Sequence, residues 1–119
     1  MGGLPATLTQ LLARDIPPQV RARADQCMRD RRTRNTEWSD DHIAYHVRGT
    51  HLYVVDLARD PGTISISCSC PYFEDRGPCK HIWAVGNLIE QDPRWDGSWL
   101  ADDPAIEYDT DDVTLEDEI

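Results

Sequence analysis

The sequence predicts a small α+β domain: an N-terminal helix, a three-stranded antiparallel sheet and a second helix, followed by an acidic tail. Three observations carry this. Apolar residues recur at every second position in three successive stretches between residues 42 and 70, the period of a half-buried strand. Two stretches, Gln19 to Arg32 and Cys79 to Gln91, instead show the three-and-four spacing of a helix with one apolar stripe. Finally, acids dominate the end of the chain, with ten acidic residues and no basic one from Asp96 onward.

The chain has 119 residues, so one domain with flanks is expected: an arm over 1–18, a folded unit over 19–93 and a tail over 94–119. A core that small often needs a covalent or metal staple. No stretch approaches the roughly 20 apolar residues of a membrane span. The start, MGGLPATLTQLLARDIPP, lacks the basic residues and long apolar run of a secretory signal. Residues 1–16 read as a mobile arm or docking peptide, with at most a short helix through Leu8, Leu11 and Leu12.

Charge is uneven. Residues 1–35 carry a balance of +4 and residues 36–119 one of −14, for a net charge of −10. Eleven of the twelve basic residues are arginine, and Lys80 is the single lysine. An acidic, lysine-poor composition fits a salt-loving archaeal source, and GC-rich coding alone would also exchange lysine for arginine. In the first predicted helix, Val20, Ala24, Cys27 and Met28 form the apolar stripe. Its arginines and their neighbours (Arg21, Arg23, Arg29, Arg31, Arg32, Arg34), with Lys80, are the candidate nucleic-acid contacts, since clustered Arg neutralises phosphate. A solvated face paired with the acidic remainder is the competing reading, and the negative charge of the whole chain favours it. Cys27 is expected to pack as a small apolar residue.

The strands follow. His42–Arg48 places Ile43, Tyr45 and Val47 on one face, and His51–Leu57 does so with Tyr53, Val55 and Leu57. Asp60-Pro61-Gly62-Thr63 suits a type II turn, with Gly supplying positive φ at its third position. It leads into TISISCSC, where Ile64, Ile66, Cys68 and Cys70 share one face. Gly77-Pro78-Cys79 then reads as a helix start, and His81 leads a stripe continued by Ile82, Val85, Leu88 and Ile89 until Pro93 stops it. The intervening PYFEDRGP reads as a loop. His42, His46 and His51 have no acid or thiol at ligand spacing and are expected as exposed or half-buried strand residues.

Cys68, Cys70, Cys79 and His81 therefore arrive as Cys-x-Cys, eight residues, Cys-x-His. These are ligand types that zinc prefers, and four of them complete a tetrahedral shell, so one structural Zn²⁺ is expected. A disulfide is the alternative, yet a Cys68–Cys70 bond closes a strained ring and a Cys70–Cys79 bond leaves Cys68 odd. Redox or nucleophilic chemistry and simple burial of small cysteines are the others. A reducing cytoplasm suits thiols used as ligands.

At these four positions, with CSCPYF before the spacer and PCKHIWAV after it, the chain resembles the SWIM-type zinc fingers over roughly Arg48 to Gln91. The resemblance implies a compact strand–strand–helix unit, a structural metal, and a role in DNA binding or protein–protein contact. The 119 residues leave no room for the helicase, transposase or recombination domains that accompany such fingers, so a free-standing finger is expected.

Catalysis finds little support. A shell filled by protein leaves no position for water, whereas catalytic zinc keeps one open. The His-x-Glu and Pro-Cys-x-x-Cys arrangement of zinc deaminases is absent, as is a phosphate-cradling glycine loop. The expected function is an adaptor binding a protein partner in transcription, recombination or repair, with no membrane and no small-molecule substrate. Trp83, on the helix face away from His81, and the tail aromatics Trp95, Trp99 and Tyr108 are the candidate contacts. The tail alternates acids with large apolar residues through Val113, Leu115 and Ile119, a pattern of segments that fold onto a partner. Direct nucleic-acid binding through the Arg-rich helix and the finger is the second reading.

Overall fold

The computed structural model describes residues 7–29, 33–49, 51–101 and 103–109, without the side chains of 25–29 and 74. The expectations for Cys27 and Met28, for the side chain of Arg29, for Arg31 and Arg32, and for residues 110–119 lie outside what is described. The described elements run α1 (Leu8–Ala13), α2 (Pro18–Arg29), β1 (Thr33–Trp38), β2 (His42–Arg48), β3 (Leu52–Asp60), β4 (Thr63–Cys68), α3 (Pro71–Arg76), α4 (Lys80–Gln91) and β5 (Ala105–Tyr108). A 3₁₀ turn, Ser98–Leu100, precedes β5.

The α+β class holds, but the sheet has five strands rather than three, in the order β1-β2-β3-β4-β5. β1 to β4 form an antiparallel meander, and β5 pairs parallel to β4. The tight turn between β3 and β4 is the expected one, with Gly62 at φ 76°. A parallel neighbour needs a crossover connection, and α3 with α4 supply it. The stretch read as a loop, PYFEDRGP, is helical over α3 and buries Phe73 at 1% exposure. Pro71 opens that helix, where its missing N–H goes unneeded.

The two extra strands escaped the period-two pattern for different reasons. β1 (TRNTEW) is an edge strand whose one large apolar residue is Trp38. Polar side chains hold it: the Asn35 amide donates to the carbonyls of Glu37 and Ala44, and the Thr36 hydroxyl donates to that of Ala44. The register shifts between Asn35 and Glu37, which marks a bulge of the kind that blunts edges. β5 (AIEY) lies within the acidic stretch and half-buries Ile106 and Tyr108. Its Tyr108 hydroxyl donates to Asp15 at 2.9 Å.

Ile43, Val47, Val55, Ile64 and Ile66 of the sheet are fully buried, as are Ile82, Val85 and Ile89 of α4. α4 lies on β3 and β4, and both α1 and α2 pack on α4. α1 begins with a capping box: Gln10 N–H donates to the Thr7 hydroxyl and Thr7 N–H to the Gln10 side chain. That box starts a helix only six residues long, too short to persist without packing. Its stability comes from Leu8 and Leu12, both at 0% exposure. Leu12 faces Gly86, where any Cβ would run into its Cδ1.

His42 sits on β2 between two carboxylates, with Nδ1 2.7 Å from Glu37 of β1 and Nε2 2.7 Å from Asp56 of β3. The sequence offered no acid at ligand spacing, because these acids meet the ring across the sheet and not along the chain. A neutral imidazole has one N–H, so satisfying both acceptors requires the doubly protonated ring. Hydrogen bonding to Glu37 raises the His42 pKa above 6.5, burial opposes this, and Asp56 adds to the rise.

Three outcomes are expected. Leu12→Ala costs about 2–5 kcal/mol of stability in urea unfolding. Gly86→Ala destabilises the parent through overpacking but stabilises the Leu12→Ala background, where its methyl enters vacated space. For His42, the folded pKa exceeds the unfolded value, so its contribution is complete below pH 6.5 and fades as pH rises through the raised value. Urea midpoints of the parent and His42→Ala should therefore diverge most below pH 6.5, while Glu37 and Asp56 stay ionised, and converge as pH rises through the raised His42 value.

Candidate metal centre

β4 carries Ile64, Ile66 and Cys68 on its buried face, so the alternation that builds the core also points the Cys68 thiol inward. Cys70 follows as the extended residue before α3 (φ −79°, ψ 153°), and Cys79 occupies the same position before α4 (φ −114°, ψ 174°). α4 begins one residue later than expected, leaving Cys79 at its cap and His81 in its first turn. All four residues are buried, from 1% exposure at Cys79 to 6% at His81.

Their ligand atoms lie within 4.8 Å of one another. His81 Nδ1 is 3.7 Å from the sulfurs of both Cys68 and Cys79. In a tetrahedral zinc shell a sulfur and a nitrogen ligand stand about 3.6 Å apart, so these separations match its edges. The thiols are unpaired with one another as disulfides, which removes the bridged alternatives among the described residues.

The thiols also show what the cluster needs. Hydrogen bonding from Cys68, then from Cys79, stabilises the Cys70 thiolate and pushes its pKa down. Cys68 is pushed up by its contacts with Cys70 and Cys79 and by burial. Cys79 is drawn down by Cys68, but Cys70 and burial raise it to about 12. Burial and mutual proximity thus oppose ionising all three thiols together. A dication in the middle replaces the protons and lets all three sulfurs ionise, which is the chemistry of a Cys₃His zinc site. The donor set fits one Zn²⁺ with no protein position vacant.

Tyr53 packs against the outer side of this cluster, its ring centroid 4.9 Å from that of His81 at an interplanar angle of 31°. It comes from β3, and sequence reading took it only as an inward strand residue. The signal that assigns it to the site is its cross-strand position two residues before Val55, which pairs with Cys68.

Of the other candidate residues, Arg23 and Lys80 line a recess that also borders Cys79 and His81, and the rest lie away from the metal cluster. Trp83 is half-buried with the Arg21 guanidinium 5.5 Å from its ring, and the Arg21 Nε is buried without a hydrogen-bond partner. Arg21 is therefore used against α4. Arg23 is exposed on α2, Arg34 is exposed on β1, and Lys80 is half-buried at the start of α4. Trp95 and Trp99 pack together with centroids 5.9 Å apart; Trp99 is 6% exposed and joins the core. Tyr108 is half-buried on β5, its pKa raised by burial and by its bond to Asp15.

The orientation of His81 gives a direct check. With zinc bound, long-range ¹H–¹⁵N spectra should show Nδ1 as the metal-bound nitrogen and Nε2 protonated; the reverse pattern would contradict the geometry.

Among curated proteins and solved structures nothing matches the chain. The family model for the SWIM zinc finger matches residues 53–85, a span that begins at Tyr53, ends at Val85 of α4 and takes in Cys68, Cys70, Cys79 and His81.

Proposed function

We propose that this protein is a zinc-stabilised SWIM-type adaptor that joins proteins in a DNA-related process such as transcription, recombination or repair. The observation that carries the reading is the closed cluster: four buried protein ligands converge within 4.8 Å and fill a tetrahedral shell. A metal so enclosed holds structure and leaves no site for a reactant, which supports a binding module over an enzyme. No helix of the described residues is long and apolar enough to cross a membrane, and three buried free thiols suit a reducing compartment such as the cytoplasm.

The arginine-bearing helix supports protein over nucleic acid as the direct partner. Its Arg21 is occupied with Trp83, so it adds nothing to a row of phosphate contacts. The net charge of −10 repels a polyanion at long range. Trp83 and Trp95 keep part of their surface exposed and are the aromatic anchors available to a protein partner.

Elemental analysis should give one zinc per chain. Cys70→Ser or a strong chelator should unfold residues 40–92, since zinc contributes about 10–16 kcal/mol to folding in small fingers. For the adaptor itself, the zinc-loaded protein should retain a defined protein partner at salt concentrations that dissolve phosphate contacts, and should leave duplex DNA unbound in fluorescence anisotropy. Tight DNA binding that weakens steeply with salt would establish the second reading instead.

A further inference from the structure

Beside the metal cluster lies a cavity of about 200 Å³, lined by Val20 and Arg23 of α2, Tyr72 of α3, and Cys79, Lys80 and His81. Its two charged walls are both cationic, in a chain whose net charge is −10. A third cation adjoins it, with the Arg76 guanidinium 5.8 Å from the Tyr72 ring. Among the described residues neither Arg23 nor Lys80 is paired with a carboxylate. Another recess, about 390 Å³, has the opposite character, with Asp40, Asp41 and Asp60 around Arg59.

The Cys₃His centre would carry a single net negative charge with Zn²⁺ bound, and the two cations of the cavity exceed it. The remaining lining is the apolar Val20 and the Tyr72 ring. Together these suit a carboxylate with an apolar neighbour: Arg23 offers a planar fork, Lys80 a point charge, and a partly dry wall strengthens both. A nucleic-acid strand fits less well. It presents phosphates in a row and needs a continuous basic track, whereas Arg21, two residues from Arg23, is turned against Trp83.

We propose that this cavity between α2, α3 and the start of α4 seats one aspartate or glutamate side chain, flanked by an apolar residue, from a short segment of a protein partner. This rests on the adaptor reading and names the chemistry that the partner would present.

The test uses the zinc-loaded full chain and a blocked peptide of sequence Leu-Glu-Glu-Leu, with Leu-Gln-Gln-Leu as control. Amide shifts should centre on Val20, Arg23, Tyr72 and Lys80, and the glutamine peptide should leave them unmoved. Arg23→Glu should weaken binding about tenfold or more with zinc content unchanged, while Arg23→Lys, which keeps the charge and loses the fork, should weaken it less. Equal binding by the parent and Arg23→Glu, or shifts centred elsewhere, overturns the proposal. So does a single-stranded oligonucleotide that displaces the peptide from these residues at lower concentration. Peptide binding seen only after removal of residues 110–119 would assign the cavity to the chain's own acidic end, and also overturns it. Because the peptide reads this cavity alone, its failure is separable from failure of the adaptor reading, which is judged on the retained protein.

Discussion

The Cys₃His cluster fixes where one helix meets one strand, and the rest of the packing is referred to that junction. Cys68 ends β4 and Cys79 opens α4, so joining them sets both the position of α4 over the sheet and its direction. α1 and α2 have their main contacts with α4. They are placed on the sheet through α4, and α4 is placed through the cluster. Burial of Ile82, Val85 and Ile89 adds the apolar contribution to the same junction. The same connection makes the crossover to β5, so the metal cluster also conditions how the last described strand reaches its parallel partner.

Arginine has a structural role in this acidic chain. Arg21 lies over Trp83, Arg76 over Tyr72, and Arg94 over Trp38 at 4.2 Å. Arg94 also reaches Asn35 at 3.2 Å and pairs with Asp92, linking the end of α4 to the edge strand β1. A guanidinium can stack on a ring and hydrogen-bond in its own plane at once, which an ammonium cannot do. The contacts join α2 to α4, brace α3 internally, and tie β1 to the turn after α4. An arginine engaged in this way is not available as a free phosphate contact, so a count of basic residues overstates the basic surface.

What was legible in the sequence was what repeats at short range. The alternation of Ile43, Tyr45 and Val47 gives β2, and that of Ile64, Ile66 and Cys68 gives β4. The spacing of the four ligands gives the metal cluster, because ligand types at fixed offsets leave few other arrangements. β1 was hidden because its support is polar and comes from Asn35, Thr36 and the distant Arg94. β5 was hidden because Ile106 and Tyr108 alternate with acids, a pattern shared by strands and by solvated segments, and only the free edge of β4 decides between them. α1 had a local signal in Thr7 and Gln10, but its reason to persist, Leu12 against Gly86, spans most of the chain.

A closed shell gives the metal an indirect part in recognition. Zinc surrounded by three thiolates and an imidazole has no coordination site to offer a ligand, and its ligands are buried. The cavity beside it nevertheless draws its walls from α2, α3 and α4, three elements whose relative placement the cluster determines. α3 is held at one end by Cys70 and followed by Cys79, so both of its boundaries are ligands or border on them. Loss of the metal would therefore disperse the walls before any ligand arrives. Any recognition at this surface would then depend on zinc without contact to zinc, as would the orientation of Trp83, three residues beyond Lys80 on the same helix.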